Sequence, residues 1–216
     1  AGIISDTPHT AIAMGISTMM SAKKITLKAK RDYSVRRRHP WVFSGAVAEE
    51  CAAEAGQTVE VAAANGETLG YGWYSPKSQI RLRMIAFGAD KPQTVEAAVA
   101  EAIGRRAEFF ANAFTNAIRL INAESDWLPG VVADYYAGWV VCPLTSAGAE
   151  RNKAEIVDAL MKFAPFCMGV AIRNDVDSRL KEGLPVEPRF EVGAGAEPPE
   201  LIEIAEGNAR FYVDVR

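Results

Sequence analysis

The sequence predicts an α+β protein in two parts. Three observations carry this. Residues 23–88 form a run of short alternating segments broken by turn signals, the size of a small β-barrel. At Gly88-Ala89-Asp90-Lys91-Pro92 the texture changes, and apolar residues recur at helical spacing. From there to residue 216, helical and strand patterns mix, as in a small α+β domain over 90–216.

Each element has a local reason. Lys23–Lys30 alternates cations with smaller or apolar residues, a strand with one charged side. Arg36–Gly45 reads as a short helix or turn leading into a strand at Val42–Ala48. Thr58–Ala62 and Thr68–Tyr74 are strands on either side of Asn65-Gly66, a strong hairpin signal. After the turn Ser75–Ser78, Ile80, Leu82 and Met84 alternate with Arg81 and Arg83, so the two arginines share the face away from the apolar residues.

Asp90 can cap a helix whose first turn holds Pro92. Val95, Val99, Ile103, Phe110 and Phe114 then predict a core-facing stripe over about 25 residues. Ile118–Ala123 is a strand, and Glu124–Gly130 a polar turn. Val131–Tyr136 and Trp139–Leu144 form a hairpin across Ala137-Gly138. A second helix runs from Glu150 to Phe163 and stops at Pro165. Met168–Ile172 is a buried strand. In Asn174–Gly183, Asp175, Arg179 and Glu182 are spaced for contacts on one side of a helical turn. Gly193–Pro199 is a loose connector. Leu201–Ala205 and Ala209–Val215 make a final hairpin.

Charge is uneven. Residues 1–40 hold eight Lys/Arg against two Asp, a net of +6, while 41–216 carry −9. A basic end on an acidic body suggests a local polyanion contact. The run Arg36-Arg37-Arg38-His39-Pro40-Trp41 presents planar cations and an aromatic on a backbone stiffened by proline. The competing reading is a solvated basic face followed by a buried Trp that anchors a strand.

Several chemistries find no support. Cys51, Cys142 and Cys167 are distant, odd in number and form no CxxC pair, which fits a reducing, cytoplasmic setting. With only His9 and His39, a histidine metal site is not indicated. No phosphate-cradling glycine motif and no GxSxG elbow occur. Glu124 and Asp126 could do acid–base work or cap local backbone N–H groups. No apolar run reaches the length of a membrane span. Met19 or Met20 reads as the natural start, so residues 1–22 are expected to be a disordered or non-native leader.

Arg36 through Val47 resembles the signature that opens the RlmI-type ribosomal-RNA large-subunit cytosine-5 methyltransferases. Matching segments follow in order: Ser75–Arg81, Glu124–Asp126 with Leu128–Gly130, Leu144–Glu150, and Arg173 through Leu184. The resemblance implies an N-terminal PUA domain, a small RNA-binding pseudo-barrel, then an α+β middle domain. In the full-length family a Rossmann-like domain follows, which binds S-adenosylmethionine and carries the cysteines that attack cytosine C6. The sequence ends at Arg216, before that domain would begin, so the chain is expected to bind RNA and methylate nothing. No catalytic, cofactor-binding or metal-ligating residue is assigned. Trp127 stands where that family usually has glycine, and Tyr135 where an arginine is common.

The expected partner is bacterial 23S ribosomal RNA, with no membrane and with the oligomeric state, a homodimer included, left open. RNA contacts are expected at Arg36, Arg37, Arg38, His39 and Trp41, helped by Lys77, Arg81 and Arg83. A stand-alone PUA-type adapter and a protein-interaction module are the alternatives.

Overall fold

A computed structural model describes residues 23–111, 114–187 and 190–216. The expected leader over 1–22 lies outside the described residues.

The first half is a six-stranded sheet. Its strands are β1 (Lys24–Leu27), β2 (Trp41–Phe43), β3 (Val47–Glu49), β4 (Thr58–Ala62), β5 (Thr68–Tyr74) and β6 (Ile80–Phe87), with a one-turn helix α1 (Tyr33–Arg36) between β1 and β2. The order across the sheet is β2-β6-β5-β4-β1-β3. The expected single strand Val42–Ala48 is therefore two strands on opposite edges, separated by the 3-10 turn Ser44–Ala46. Four residue steps reach at most about 14 Å. Six strands laid flat would hold their edges about 24 Å apart. The sheet must curl until its edges approach, and that makes the pseudo-barrel. Ser44 N–H reaches the Gln79 carbonyl at 2.9 Å, and Lys28 N–H reaches the Ala46 carbonyl at 2.9 Å. Ile25, Leu27, Val42, Val59, Val61, Leu82 and Met84 fill the interior.

The second half is a two-layer α+β unit. Helices α2 (Val95–Gly104), α3 (Ala107–Ala111), α4 (Ala147–Arg151) and α5 (Lys153–Phe163) accompany strands β7 (Ala117–Asn122), β8 (Val132–Tyr136), β9 (Trp139–Cys142), β10 (Gly169–Ile172) and β11 (Glu191–Gly195). The sheet order is β11-β10-β9-β8-β7, with β9 and β10 parallel across α4 and α5. Val99, Ile103, Leu120, Ile156, Leu160 and Ile172 belong to its core. The hairpin β12 (Ile202–Glu206) and β13 (Ala209–Val213) stands beside β7, tied by Ala205 N–H to Asn116 Oδ1 at 2.7 Å.

Four further expectations are corrected. Thr94, not Asp90, caps α2: its side chain accepts from Ala97 N–H at 3.1 Å, a bond worth about 1 kcal/mol. The long helix breaks at Arg105-Arg106, and Phe114 is 62% exposed beside the β12–β13 turn instead of in the core. The helix expected over Glu150–Phe163 is two helices that meet at Asn152. Part of the expected loose connector at Gly193–Pro199 lies in β11, which pairs antiparallel with β10; a Gly-Ala-Gly stretch carries no strand pattern of its own, and the edge of β10 recruits it.

Trp127 has φ +61°, the left-handed region where glycine sits without strain. The turn keeps that shape with Trp, whose ring meets Phe87 edge-on at 5.9 Å. Tyr135 is buried and meets Phe110 edge-on at 5.3 Å.

Candidate nucleic-acid interface

The basic residues divide into two environments. On the segment from Lys28 to Arg38, Lys30, Arg31, Arg37 and Arg38 have no carboxylate partner among the described residues and are exposed. Lys28 Nζ reaches the Gly45 carbonyl at 3.1 Å and no carboxylate among the described residues. Arg37 lies over the Tyr33 ring, 4.7 Å from its centroid. Arg36 differs: it grips Asp32 at 2.7 Å and Glu67 through two bonds at 2.7 and 2.8 Å.

The backbone holds this segment in an unusual shape. Arg38 has φ +60° and Lys30 φ +63°. Arg38 ends α1 at the position where helices favour glycine, with its N–H on the Val35 carbonyl at 2.8 Å. A left-handed non-glycine residue costs about 1–2 kcal/mol. Both strained positions carry cations. His39 holds the turn that follows: its Nδ1 accepts from Trp41 N–H at 3.1 Å, and its ring meets the indole edge-on.

Trp41, Arg81 and Arg83 face inward. Trp41 Nε1 donates to Glu124 Oε1 at 2.7 Å. Arg83 is 11% exposed and bridges Glu124 at 3.2 Å and Glu182 at 2.9 Å. Arg81 pairs with Glu50 at 3.0 Å and donates to the Pro76 carbonyl. The two arginines do share the strand face opposite Leu82 and Met84, but that face meets carboxylates, so their charge is matched. Lys77 is exposed and lays its alkyl chain over Gly183.

Glu124 and Asp126 are couplers. Asp126 is buried; burial pushes its carboxyl up, but Arg106, the Asn122 N–H and Arg105 together hold it below the usual value. Glu182 follows the same logic. Burial raises its pKa, and Ser78, Arg83 and Ser75 more than offset that. Ser75 Oγ donates to Glu182 at 2.7 Å, and Ala147 N–H at 3.3 Å.

The five sequence segments that carried the resemblance meet at this junction. Trp41 of the first meets Glu124 of the third, and Ser75 of the second meets Glu182 of the fifth. Arg179 of the fifth meets Glu150 of the fourth at 2.9 Å, and Ser146 Oγ donates to Pro129 at 2.7 Å.

Residues 25–87 match the family model of a PUA-like domain. The ribosomal RNA large subunit methyltransferase I of Aliivibrio fischeri is 41% identical over 197 residues, covering 88% of this chain and 48% of the relative. That of Alteromonas mediterranea is 43% identical over 204 residues, covering 91% and 49%. Over 88% and 91% of its own length the chain is similar to these methyltransferases. It spans about half the length of the curated relatives it matches. A candidate SAM-dependent methyltransferase from Streptococcus mutans shares the fold at a TM-score of 0.70 and 20% identity, covering 89% of this chain and 48% of that one. With the matched barrel and the sheet-and-helix unit behind it, the fold is α+β with a PUA-like domain first.

Sequence reasoning did not single out Lys30 and Arg31 as site residues, although the charge count over residues 1–40 contained them. It also left out Lys181 and Leu180. They approach Lys77 only through the tertiary fold, and no local pattern marks them.

Proposed function

We propose that this chain is the RNA-recognising part of an S-adenosylmethionine-dependent methyltransferase that acts on cytosine C5 of 23S ribosomal RNA in the bacterial cytoplasm. In this reading residues 23–88 are the recognition domain. Residues 90–216 are a middle domain that fixes its orientation. The observation that carries it is the run of exposed cations from Lys28 to Arg38 without carboxylate partners among the described residues. Strained backbone that survives at Lys30 and Arg38 supports a use for those side chains.

In this reading the described residues hold no methyl donor, and the contacts at the parallel crossover support it. The parallel crossover β9–α4–α5–β10 is the natural place for such a cradle. Its helix start is occupied: the Glu182 carboxylate takes the Ala147 N–H, and the Trp73 ring covers Gly148. The cysteines are equally unsuited to attack. Burial pushes the Cys142 thiol up to about 12 and also raises Cys167, while Cys51 packs half-buried against the barrel core. Recognition without methyl transfer is the activity proposed for this chain.

The test is a salt titration with a structured fragment of 23S ribosomal RNA. Arg37→Gln and Arg38→Gln should each flatten the log–log salt dependence by about one unit or slightly less. Arg210→Gln on the β12–β13 hairpin, where Glu203 already holds the guanidinium, should leave the slope unchanged. Binding that does not respond to salt would favour a protein-interaction module instead.

A further inference from the structure

Between the turn Ser75–Ser78 and the 3-10 turn Asp177–Glu182 lies a cleft of about 540 Å³, within the range of small-ligand sites. Both halves of the chain build it. Lys77 stands on one wall and Lys181 on the other, and neither has an acceptor among the described residues. Trp41 and Gln79 line the barrel side, and the exposed Leu180 sits at the rim. The Arg83–Glu182 pair makes the floor, and among the described residues the buried Arg83 Nε has no hydrogen-bond partner there.

We infer that this cleft takes one unpaired nucleotide of the bound RNA. The inference rests on the RNA-binding reading above and extends it to a second site. Charge comes first: the floor pair is matched, so the two lysines give the cleft a net positive charge suited to a phosphate. Shape comes next. An indole and an apolar rim offer a base a surface only after it has left its stack, and a duplex cannot present a base that way. The Gln79 side-chain carbonyl accepts from Ser44 Oγ at 3.1 Å, and its NH₂ group remains to donate to a base edge. An acidic peptide would use the lysines but gain little from the ring and the amide. Position agrees as well. Trp41 follows Arg38 by three residues, so RNA held on the basic segment arrives at the cleft mouth.

The test uses the full chain and three RNA hairpins: one with a single-nucleotide bulge, its fully paired counterpart, and one abasic at the bulge. Affinities are read by fluorescence anisotropy, with folding verified by circular dichroism. The bulged hairpin should bind about tenfold tighter than the paired one. The abasic hairpin should lose that preference. Lys181→Gln and Gln79→Ala, both at exposed positions, should also lose it without changing affinity for the paired hairpin. Equal binding of all three hairpins, with Arg37→Gln still weakening each, would overturn the cleft and leave the RNA reading intact. No binding to any hairpin would overturn both. Displacement of the bulged hairpin by a glutamate-rich peptide as readily as by unlabelled RNA would overturn the nucleotide assignment and mark a general anion site.

Discussion

Arg83 on strand β6 meets Glu182 at 2.9 Å, although the two are 99 positions apart in the chain. The pair fastens the barrel to the sheet-and-helix unit. Glu182 also takes Ser75 Oγ from the barrel side and Ala147 N–H from the other, so one carboxylate ties three segments together.

Removing one member of a buried pair strands the other charge. Glu182→Ala should therefore destabilise the protein by about 3–5 kcal/mol. Urea unfolding at neutral pH measures it. A loss no larger than that of an exposed pair such as Arg210–Glu203 would show that the junction is not a stabilising element.

Acid should loosen the same junction. Glu182 and Asp126 both have folded-state pKa values below their ordinary ones, despite burial. Their stabilisation is complete above the unfolded carboxylate values, near pH 4–4.5, and is lost as pH falls through the lower folded values. Thermal melts from pH 6 down to pH 2 should show stability falling below about pH 4.5. Glu182→Gln should fall less steeply over that window than the parent. Parallel curves would remove Glu182 from the account.

Gly148 is required for close packing. A Cβ there would collide with the Trp73 ring, whose neighbours are core. Gly148→Ala should cost about 1–3 kcal/mol by overpacking, measured by chemical denaturation. Trp73 belongs to the barrel strand β5 but packs in the second core, so the substitution should also alter tryptophan fluorescence in the folded state.

Arg36 should matter less for RNA than its neighbour Arg38. Its guanidinium is already taken by Asp32 and Glu67. Arg36→Gln should flatten the salt dependence of RNA binding by clearly less than the roughly one unit expected for Arg38→Gln. Equal slopes would mean that RNA displaces the carboxylates.

Cys142 should resist alkylation. It is fully buried and its thiol is pushed up to about 12, so little thiolate exists at pH 8. Mass spectrometry after iodoacetamide treatment should find Cys51 and Cys167 modified first, and Cys142 only after unfolding. Early labelling of Cys142 would show that the second core opens readily.

Alternation and turn chemistry in the sequence determined the barrel strands, the hairpins at Asn65-Gly66 and Ala137-Gly138, and helix α5, because each depends on neighbours a few residues apart. Charge counting found the basic segment for the same reason. Tertiary structure alone decided the rest. It split Val42–Ala48 between two sheet edges, since curling is a property of six strands together. It made Gly193–Gly195 part of a strand, since β10 offered an open edge. It also sorted the arginines. Arg37 and Arg83 look alike in sequence, and alternation correctly placed Arg83 opposite the barrel core. Whether that face meets water or carboxylates depends on Glu124 and Glu182, which arrive from 41 and 99 residues away. A side chain's charge is written in the sequence; what neutralises it is set by the fold.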